Sequence, residues 1–482
     1  VSSIGKIISL FGAGTVSNAD VVTRQRRLNC YFENRKDKDK TAIACYGTPG
    51  LVAAFSPSTP LNFPIRGFLG TQNALFLVSY NEFQQVTSSG ASIFSSSIGT
   101  QSGNCSLAFN NTQVVLVDGT AGYLYTPSGP TFTTIGSSFP NGAKTVTYAS
   151  GFFVAELPGT QQFWVSNAND GSTWGGTSFA SAYAYSDNIL AVDNLAGILW
   201  LFSQQHIEAW QNNGTTPQPF LPIINAAYEW GLAAIFSRAH VEQSIIFLAQ
   251  TREGQVQFVR LQGFVIQRIS DDDIDRVING FSVVSDAVGL SYEAGGHKFY
   301  QASFPTANRS FLYDCATGLW SDAQTGPSVN PVRHQANLSA YYAGTTYLSD
   351  YETNQVYTLS PTAYTDNGVT IARELVTRHI LSNFDRIRIS QLFLDMDVGG
   401  GLQSGQGSNP QIMLQYSKDN GRTWSAERWA SLGKVGQYLT RVIWRRFGCT
   451  RVATFRIRMT DPVKFVIATA AMKVKAPRSK AA

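Results

Sequence analysis

The chain has 482 residues, of which 43% are hydrophobic and 12% aromatic but only 14% charged, against roughly 25% charged in ordinary soluble domains. With 42 glycines, the profile predicts a large all-β protein with many tight turns; at roughly 100–200 residues per domain the length allows two to four units, with cores that need no covalent staples. Five widely spaced cysteines (Cys30, Cys45, Cys105, Cys315 and Cys449) without a C-x-x-C argue against a zinc site or a secreted disulfide framework, and no segment approaches the roughly 18 apolar residues of a membrane span.

The formal net charge of +5 hides an uneven distribution. Residues 1–60 carry 8 Lys and Arg against 4 Asp and Glu, residues 366–482 carry 19 against 8, and residues 61–365 carry 10 against 20. The two ends together hold +15 and the middle −10, which predicts one basic body made from both ends of the chain and a separate acidic one between them. At the N-terminus, VSSIGKIISLFGAG lacks the features of a signal peptide, so synthesis in the cytoplasm is expected. Gly12-Ala13-Gly14 is a lone G-x-G with no third glycine or Lys after it and reads as a surface turn rather than a phosphate cradle. Arg24-Gln25-Arg26-Arg27 is the first basic cluster, followed by RKDKDK at residues 35–40.

From ALFLVSY onward the chain repeats a pattern of two apolar runs joined by a Gly-, Asn- or Asp-containing turn. It recurs as QVVLVDGTAGYLYT, FFVAELPGTQQFWVS, ILWLFSQQHIEAWQN, IIFLAQ with VQFVRL, HKFYQASF with RSFLYDCATGLW, and TTYLSDYETNQVYTLS. Aromatics (Tyr125, Trp164, Trp210, Phe258, Tyr313 and Tyr357) return at compatible intervals, as in propeller blades that close a ring of sheets. Six or seven blades fit. Within this region Asn167, Asn169, Gly171, Thr173 and Trp174 form a degenerate Asp box. In SDDDIDRVINGF, Ser270 is expected to cap a short helix whose first turn holds Asp271, Asp272 and Asp273; the run fails the spacing of a calcium-binding EF-hand loop. The five histidines (His206, His240, His297, His334 and His379) are scattered, which predicts no metal centre. Sequons at Asn104, Asn110, Asn213, Asn308 and Asn337 are not expected to be used, because no secretory signal accompanies them.

The C-terminal part carries the strongest signals. Ser417, Asp419, Gly421, Thr423 and Trp424 fit the Asp-box spacing S-x-D-x-G-x-T-W, in which Asp accepts turn amides, Gly supplies a permissive backbone and Trp packs beneath the hairpin. Upstream, Asp395 and Asp397 in FLDMDV read as exposed or salt-bridged to Arg386 and Arg388 rather than as a proton-sharing pair. In RVIWRRF and TFRIRM, period-2 alternation sets Arg456 and Arg458 on one strand face. Arg24, Arg26, Arg27, Arg441, Arg445, Arg446, Arg456 and Arg458 are therefore candidate structural or subunit contacts, with an acidic protein partner or direct DNA contact as the other readings. Asp boxes also occur in sialidase-like propellers, which makes a carbohydrate-active or glycan-binding propeller the alternative function. No paired carboxylates or arginine triad can be assigned for that chemistry, and FPIRGF has the wrong order for an F-R-I-P strand. No G-x-S-x-G or H-E-x-x-H occurs, so neither an enzyme nor a cofactor is expected.

Several stretches together carry a family resemblance: RLNCYFENR with YGTPGL, VVLVDGTAGYLYT, FVAELPGTQQFWVSNANDGSTW with SFASAYA, LWLFSQQHIEAWQNNG, GHKFYQASFPTANRSFLYDCATGLW, GQGSNPQIMLQYSKDNGRTWS, and SLGKVGQY with WRRFG. In their order and spacing over most of the chain they resemble the tail hub or nozzle proteins of short-tailed phages, the packaged-DNA stabilisation family. The resemblance implies a propeller-like nozzle domain, residues 63–364, inserted in a β-sandwich platform built from residues 1–62 and 365–482. It further implies a homohexameric ring on the portal-bound adaptor of the virion tail, a closed DNA channel without sequence-specific binding, and an attached needle, fibres or spikes. The basic run at residues 35–40 and the basic tail at residues 473–480 depart from the family pattern.

Overall fold

The computed structural model describes residues 6–8, 25–34, 43–60, 62–136, 138–381 and 385–475. Residues 12–14, Arg24, the basic run at 35–40 and the tail beyond residue 475 lie outside the described residues. The middle of the chain folds into seven sheets, each an antiparallel meander, that follow one another as blades. Blade 1 spans residues 65–97, blade 2 106–134, blade 3 146–181, blade 4 189–228, blade 5 231–268, blade 6 288–323 and blade 7 336–360. Left-handed residues such as Asn111 (φ 76°) and Asn308 (φ 49°) make the tight hairpins possible, because such turns match the twist of the strands they join.

Aromatic side chains fill the space between blades. Phe83 meets Tyr125 at 5.2 Å between blades 1 and 2, Phe163 meets Trp210 at 5.1 Å between blades 3 and 4, and Phe202 meets Phe247 at 5.2 Å between blades 4 and 5. Polar links add to the packing. The Thr145 hydroxyl donates to the buried Glu156 at 2.6 Å and accepts the Val192 amide at 2.9 Å, tying blade 3 to blade 4.

Ring closure uses chain from far away in sequence. Blade 7 takes its fourth strand from Gly50–Phe55, which runs antiparallel to Val356–Ser360. That strand falls within residues 1–62, the segment expected to build the platform. Gly50 suits the position, since an added Cβ would lie 2.3 Å from the Thr365 carbonyl oxygen.

Both ends of the chain form the sandwich. One sheet runs Cys30–Asn34, Ile43–Gly47, Val466–Lys475, Ile387–Met396, Val442–Thr450, with Lys6–Ile8 added along Val466–Lys475. The other runs Arg26–Leu28, Arg373–Val376, Val452–Met459, Gln411–Ser417, Arg428–Ser431. Their inner faces enclose one core that includes Phe32, Leu392, Trp444, Phe455 and Ile457. The second sheet does not stop at the domain edge. Arg26–Leu28 lies parallel to Leu319–Ala323, the outer strand of blade 6, so nine strands pass continuously from propeller to sandwich, and Ile380–Leu381 branches from Val452–Met459 as the tenth strand of the sheet.

The single α-helix among the described residues, Asp272–Asn279, departs from expectation by one residue. Asp271 caps it by accepting the Ile274 amide at 2.8 Å, whereas Ser270 instead accepts the Phe258 amide at 3.1 Å. Either hydroxyl or carboxylate suits a cap, and the tie to blade 5 decides between them. Among the described residues no helix is long and apolar enough to cross a membrane.

Leu51 is 1% exposed and packs with Leu290, Leu348 and Tyr357. Leu51→Ala is expected to lower unfolding free energy by about 2–5 kcal/mol, read by chemical denaturation. A loss below about 1 kcal/mol would mean that this strand does not hold the ring shut.

Candidate assembly surface

A ladder of alternating charge crosses the outer face of the ten-stranded sheet where propeller becomes sandwich. Arg309 on blade 6 donates to Asp322 at 3.1 Å, Arg26 donates to Asp322 at 2.8 Å and to Glu374 at 3.3 Å, and Arg456 stands 3.9 Å from the same Glu374 oxygen. Arg456 also donates to Gln415 at 3.2 Å. Each member sits on the strand adjacent to the last, so the ladder reports the register of six neighbouring strands. Arg458, on the same face as Arg456, donates to the Pro327 carbonyl at 2.6 Å in the loop after blade 6. Arg27 turns to the other face, donates to the Trp320 carbonyl at 2.9 Å and lies 5.7 Å from the Phe32 ring. Thus Arg26, Arg27, Arg456 and Arg458 all have partners within the chain.

A second buried arginine, Arg373, belongs to the ladder strand that carries Glu374 and packs from its other face against Gly47, whose added Cβ would lie 2.3 Å from Nε. Burial pushes its guanidinium down to about 10, opposed by Asp366. Burial likewise pushes the Asp366 carboxyl up to about 7.

The Asp box closes its hairpin as its spacing predicts. Asp419 accepts the Thr423 amide at 2.9 Å, the Thr423 hydroxyl at 2.5 Å and the Ser417 hydroxyl at 2.6 Å, while the Gly421 amide donates to Ser417 at 2.8 Å. The Ser417 and Thr423 hydroxyls hold the Asp419 carboxyl down to about 2. Trp424 does not enter the core; it lies across the Arg456 guanidinium at 4.1 Å, a cation–π contact that joins the box to the charge ladder.

Arg441, Arg445 and Arg446 are exposed on or beside Val442–Thr450. The strict alternation expected through RVIWRRF is broken, because Arg446 adopts a left-handed backbone (φ 65°) at a bulge in which Arg446 and Phe447 stand opposite Ser390. An extra residue in one strand leaves carbonyls without ladder partners, and Arg428 supplies them. Its guanidinium donates to the Arg445 carbonyl at 2.8 Å and sits over the Tyr416 and Phe447 rings at 4.9 and 5.3 Å. Residue types alone gave no signal for Arg428.

The remaining candidates are architectural. Arg66 of FPIRGF is 5% exposed and donates to the Gly103 and Thr100 carbonyls at 2.7 and 2.8 Å. In the second box Asp170, rather than Asn167 or Asn169, accepts the Ser172 amide and hydroxyl, both at 2.9 Å, and Trp174 is buried with its indole donating to Gly171 at 2.9 Å. Asp397 pairs with Lys464 at 2.8 Å, not with Arg386 or Arg388; Arg388 lies seven positions from Asp395, about 23 Å along the strand. Cys30, Cys45 and Cys105 are buried free thiols. Among the described residues no three His, Cys, Asp or Glu side chains gather as a metal site.

Residues 64–364 match a family model described as Bacteriophage P22 Gp10, beta-propeller, and residues 372–475 match one described as Bacteriophage P22 Gp10, beta-sandwich. The chain belongs to the phage P22 Gp10 family. This is the packaged-DNA stabilisation family of short-tailed phages anticipated from the sequence, and membership makes the chain a structural protein of the virion tail. Solved structures similar to it include the computationally designed Ika8 protein (8% identity, 64% of this chain and 99% of that one, TM-score 0.41) and the Neurospora crassa Pan2 WD40 domain (11% identity, 66% and 95%, TM-score 0.43). A third is the Myceliophteria thermophila Cps50 (Swd1) β-propeller domain (9% identity, 64% and 98%, TM-score 0.42). No curated protein matched.

Two outcomes test this geometry. Glu374→Ala leaves Arg26 and Arg456 facing one another without their shared carboxylate and is expected to destabilise the fold by about 3 kcal/mol, whereas Arg451→Ala on the exposed surface is expected to stay within about 0.5 kcal/mol; thermal unfolding compares them. Because the folded Asp419 carboxyl lies below its unfolded value, its contribution is fully present above about pH 4 and is lost as pH falls through about 2. The stability difference between the native chain and Asp419→Asn should therefore be constant from pH 5 to 8 and vanish near pH 2 in pH-dependent melts.

Proposed function

We propose that six copies form a closed ring on the portal-bound adaptor at the tail vertex, extend and close the DNA channel, and carry the needle, fibres or spikes beyond it. The observation that carries this reading is the partition of charge between two bodies joined by one shared sheet, a basic sandwich and an acidic propeller. Each Lys or Arg held on a phosphate adds a salt-sensitive attraction that would retard DNA leaving the head. An acidic propeller along the channel avoids that grip and binds no sequence. The exposed Arg441, Arg445 and Arg446 then serve adaptor subunits and neighbouring copies. Heterologous contacts use two different surfaces of each subunit, so six adaptor sites at high local concentration favour closure where the free chain stays monomeric.

The test adds the purified chain to DNA-filled heads that carry portal and adaptor but no further tail. A six-fold ring at the vertex with leakage suppressed is the expected result, together with a monomer in sedimentation before addition. Unchanged leakage and a bare vertex, with adaptor competence shown independently, would falsify the hub reading.

A further inference from the structure

The first strands of neighbouring blades touch around the propeller axis, from blade 5 through blades 6 and 7 to blade 1. Three of them, Ala239–Val241, Val288–Ala294 and Ala336–Tyr342, wall a pocket of about 270 Å³. Its lining comes from their C-terminal ends, so it opens on one face of the ring beside the axis. The walls are tied together blade to blade. His240 Nε2 lies 2.9 Å from Asp193 of blade 4, the Ser291 hydroxyl donates to the His240 carbonyl at 2.8 Å, and the Ser291 amide donates to the Ser339 hydroxyl at 3.2 Å. Gly70 lets blade 1 press against the backbone of Tyr341, since an added Cβ would lie 2.1 Å from the Tyr341 carbonyl oxygen. The pocket is thus formed before a ligand arrives, which keeps the ordering cost of binding low.

We propose that this pocket binds a neutral saccharide of one or two sugar rings. Charge around it is balanced. Glu242 accepts Arg260 at 2.6 Å and lies 4.0 Å from Lys298, Asp193 behind the wall accepts Arg238 at 2.9 Å besides facing His240, and Glu293 stands opposite Lys298 in the strand register. Each carboxylate has a cation beside it, so the site offers little net field to a free anion or cation and selects by hydrogen bonding instead. Groups remain for that purpose. Among the described residues the Tyr341 and Thr346 hydroxyls and the Glu293 carboxylate have no hydrogen-bond partner within the chain. A carboxylate that only accepts, an ammonium that only donates and hydroxyls that do both match the paired donors and acceptors of vicinal sugar hydroxyls. Tyr341 adds apolar surface: its side chain is 58% exposed, a ring that the C–H face of a sugar can cover while the hydroxyls reach the polar wall. The volume falls just below the roughly 300–1,000 Å³ of drug-sized ligand pockets, which suits a mono- or disaccharide.

Saturation-transfer difference NMR on the full chain tests the site, with the methyl glycosides of glucose, galactose, mannose, rhamnose and N-acetylglucosamine as probes. A pocket of this size is expected to hold at least one of them with a Kd of about 1 mM, so each is offered at roughly 10 mM. Transfer to that sugar should be seen, and its Kd should weaken about tenfold in Tyr341→Ala and in Glu293→Gln. Both side chains are exposed, so the melting curves of the two variants should match that of the native chain. No transfer to any of the probes, or transfer of equal strength in both variants, overturns the inference. Transfer to N-acetylneuraminate in preference to every neutral glycoside also overturns it, because charge rather than hydroxyl pattern would then select the ligand. The pocket lies within one copy, so these outcomes are read on the free chain and stand apart from whether a ring forms at the vertex.

Discussion

One three-residue strand, Arg26–Leu28, sets the relation between the two halves of the molecule. Leu28 pairs in parallel with Asp322 of blade 6 and antiparallel with Glu374 of the sandwich, so a strand from the N-terminal region is the splice between them. Asn29, immediately after it, adopts φ 51° and is 2% exposed. Its amide nitrogen donates to the Gln324 and Ala372 carbonyls, both at 2.9 Å, and its oxygen accepts the Gln324 amide at 3.0 Å. One side chain thus satisfies three backbone groups at the point where blade 6 ends, the sandwich resumes and the N-terminal region enters. A buried backbone group without a partner is costly, so the junction admits few alternative arrangements.

The charge ladder strengthens this junction less through net stability than through selectivity. Buried ion pairs offset much of their attraction by lost hydration, and Arg26 and Glu374 gain most of their value by being wrong in any other register. A slip of one residue would move every charged side chain to the opposite face, placing Arg456 and Arg458 against Phe455 and Ile457 neighbours in the core. Closure into a seven-bladed ring applies the same discipline to the propeller, where each blade shields the faces of the next and outer strands such as Ser92–Ser97 and Thr131–Thr134 meet water.

Much of this fold was legible in the sequence for a physical reason. The seven repeating apolar pairs are the second and third strands of the seven blades, from Leu75–Ser79 to Val356–Ser360. Those strands are covered on both faces by neighbouring blades and so read as apolar runs. The outer strands, such as Ser92–Ser97 and Thr131–Thr134, are largely solvated and carry no such signal. For the same reason Gly50–Phe55, with Val52 41% exposed, gave no sign that it belongs to the last blade. The Asp box was readable because its hydrogen bonds are local. The arginines were not separable, because alternation places Arg456 and Arg458 on an outer face without saying whether solvent, a neighbouring copy or the chain's own propeller lies above it. Only the strand from residue 26, hundreds of positions away, decides that.

The closing strand also constrains when the molecule can fold. The Gln355 side chain bonds to the Phe55 carbonyl across 300 positions of chain, and at about 5–20 residues per second a ribosome takes roughly 15–60 s to cover that distance. Throughout that interval Gly50–Phe55 has no partner and blade 1 presents one bare face. The emerging chain therefore waits, open-sided, for its own last blade, and the period of greatest exposure to aggregation falls during synthesis rather than after release.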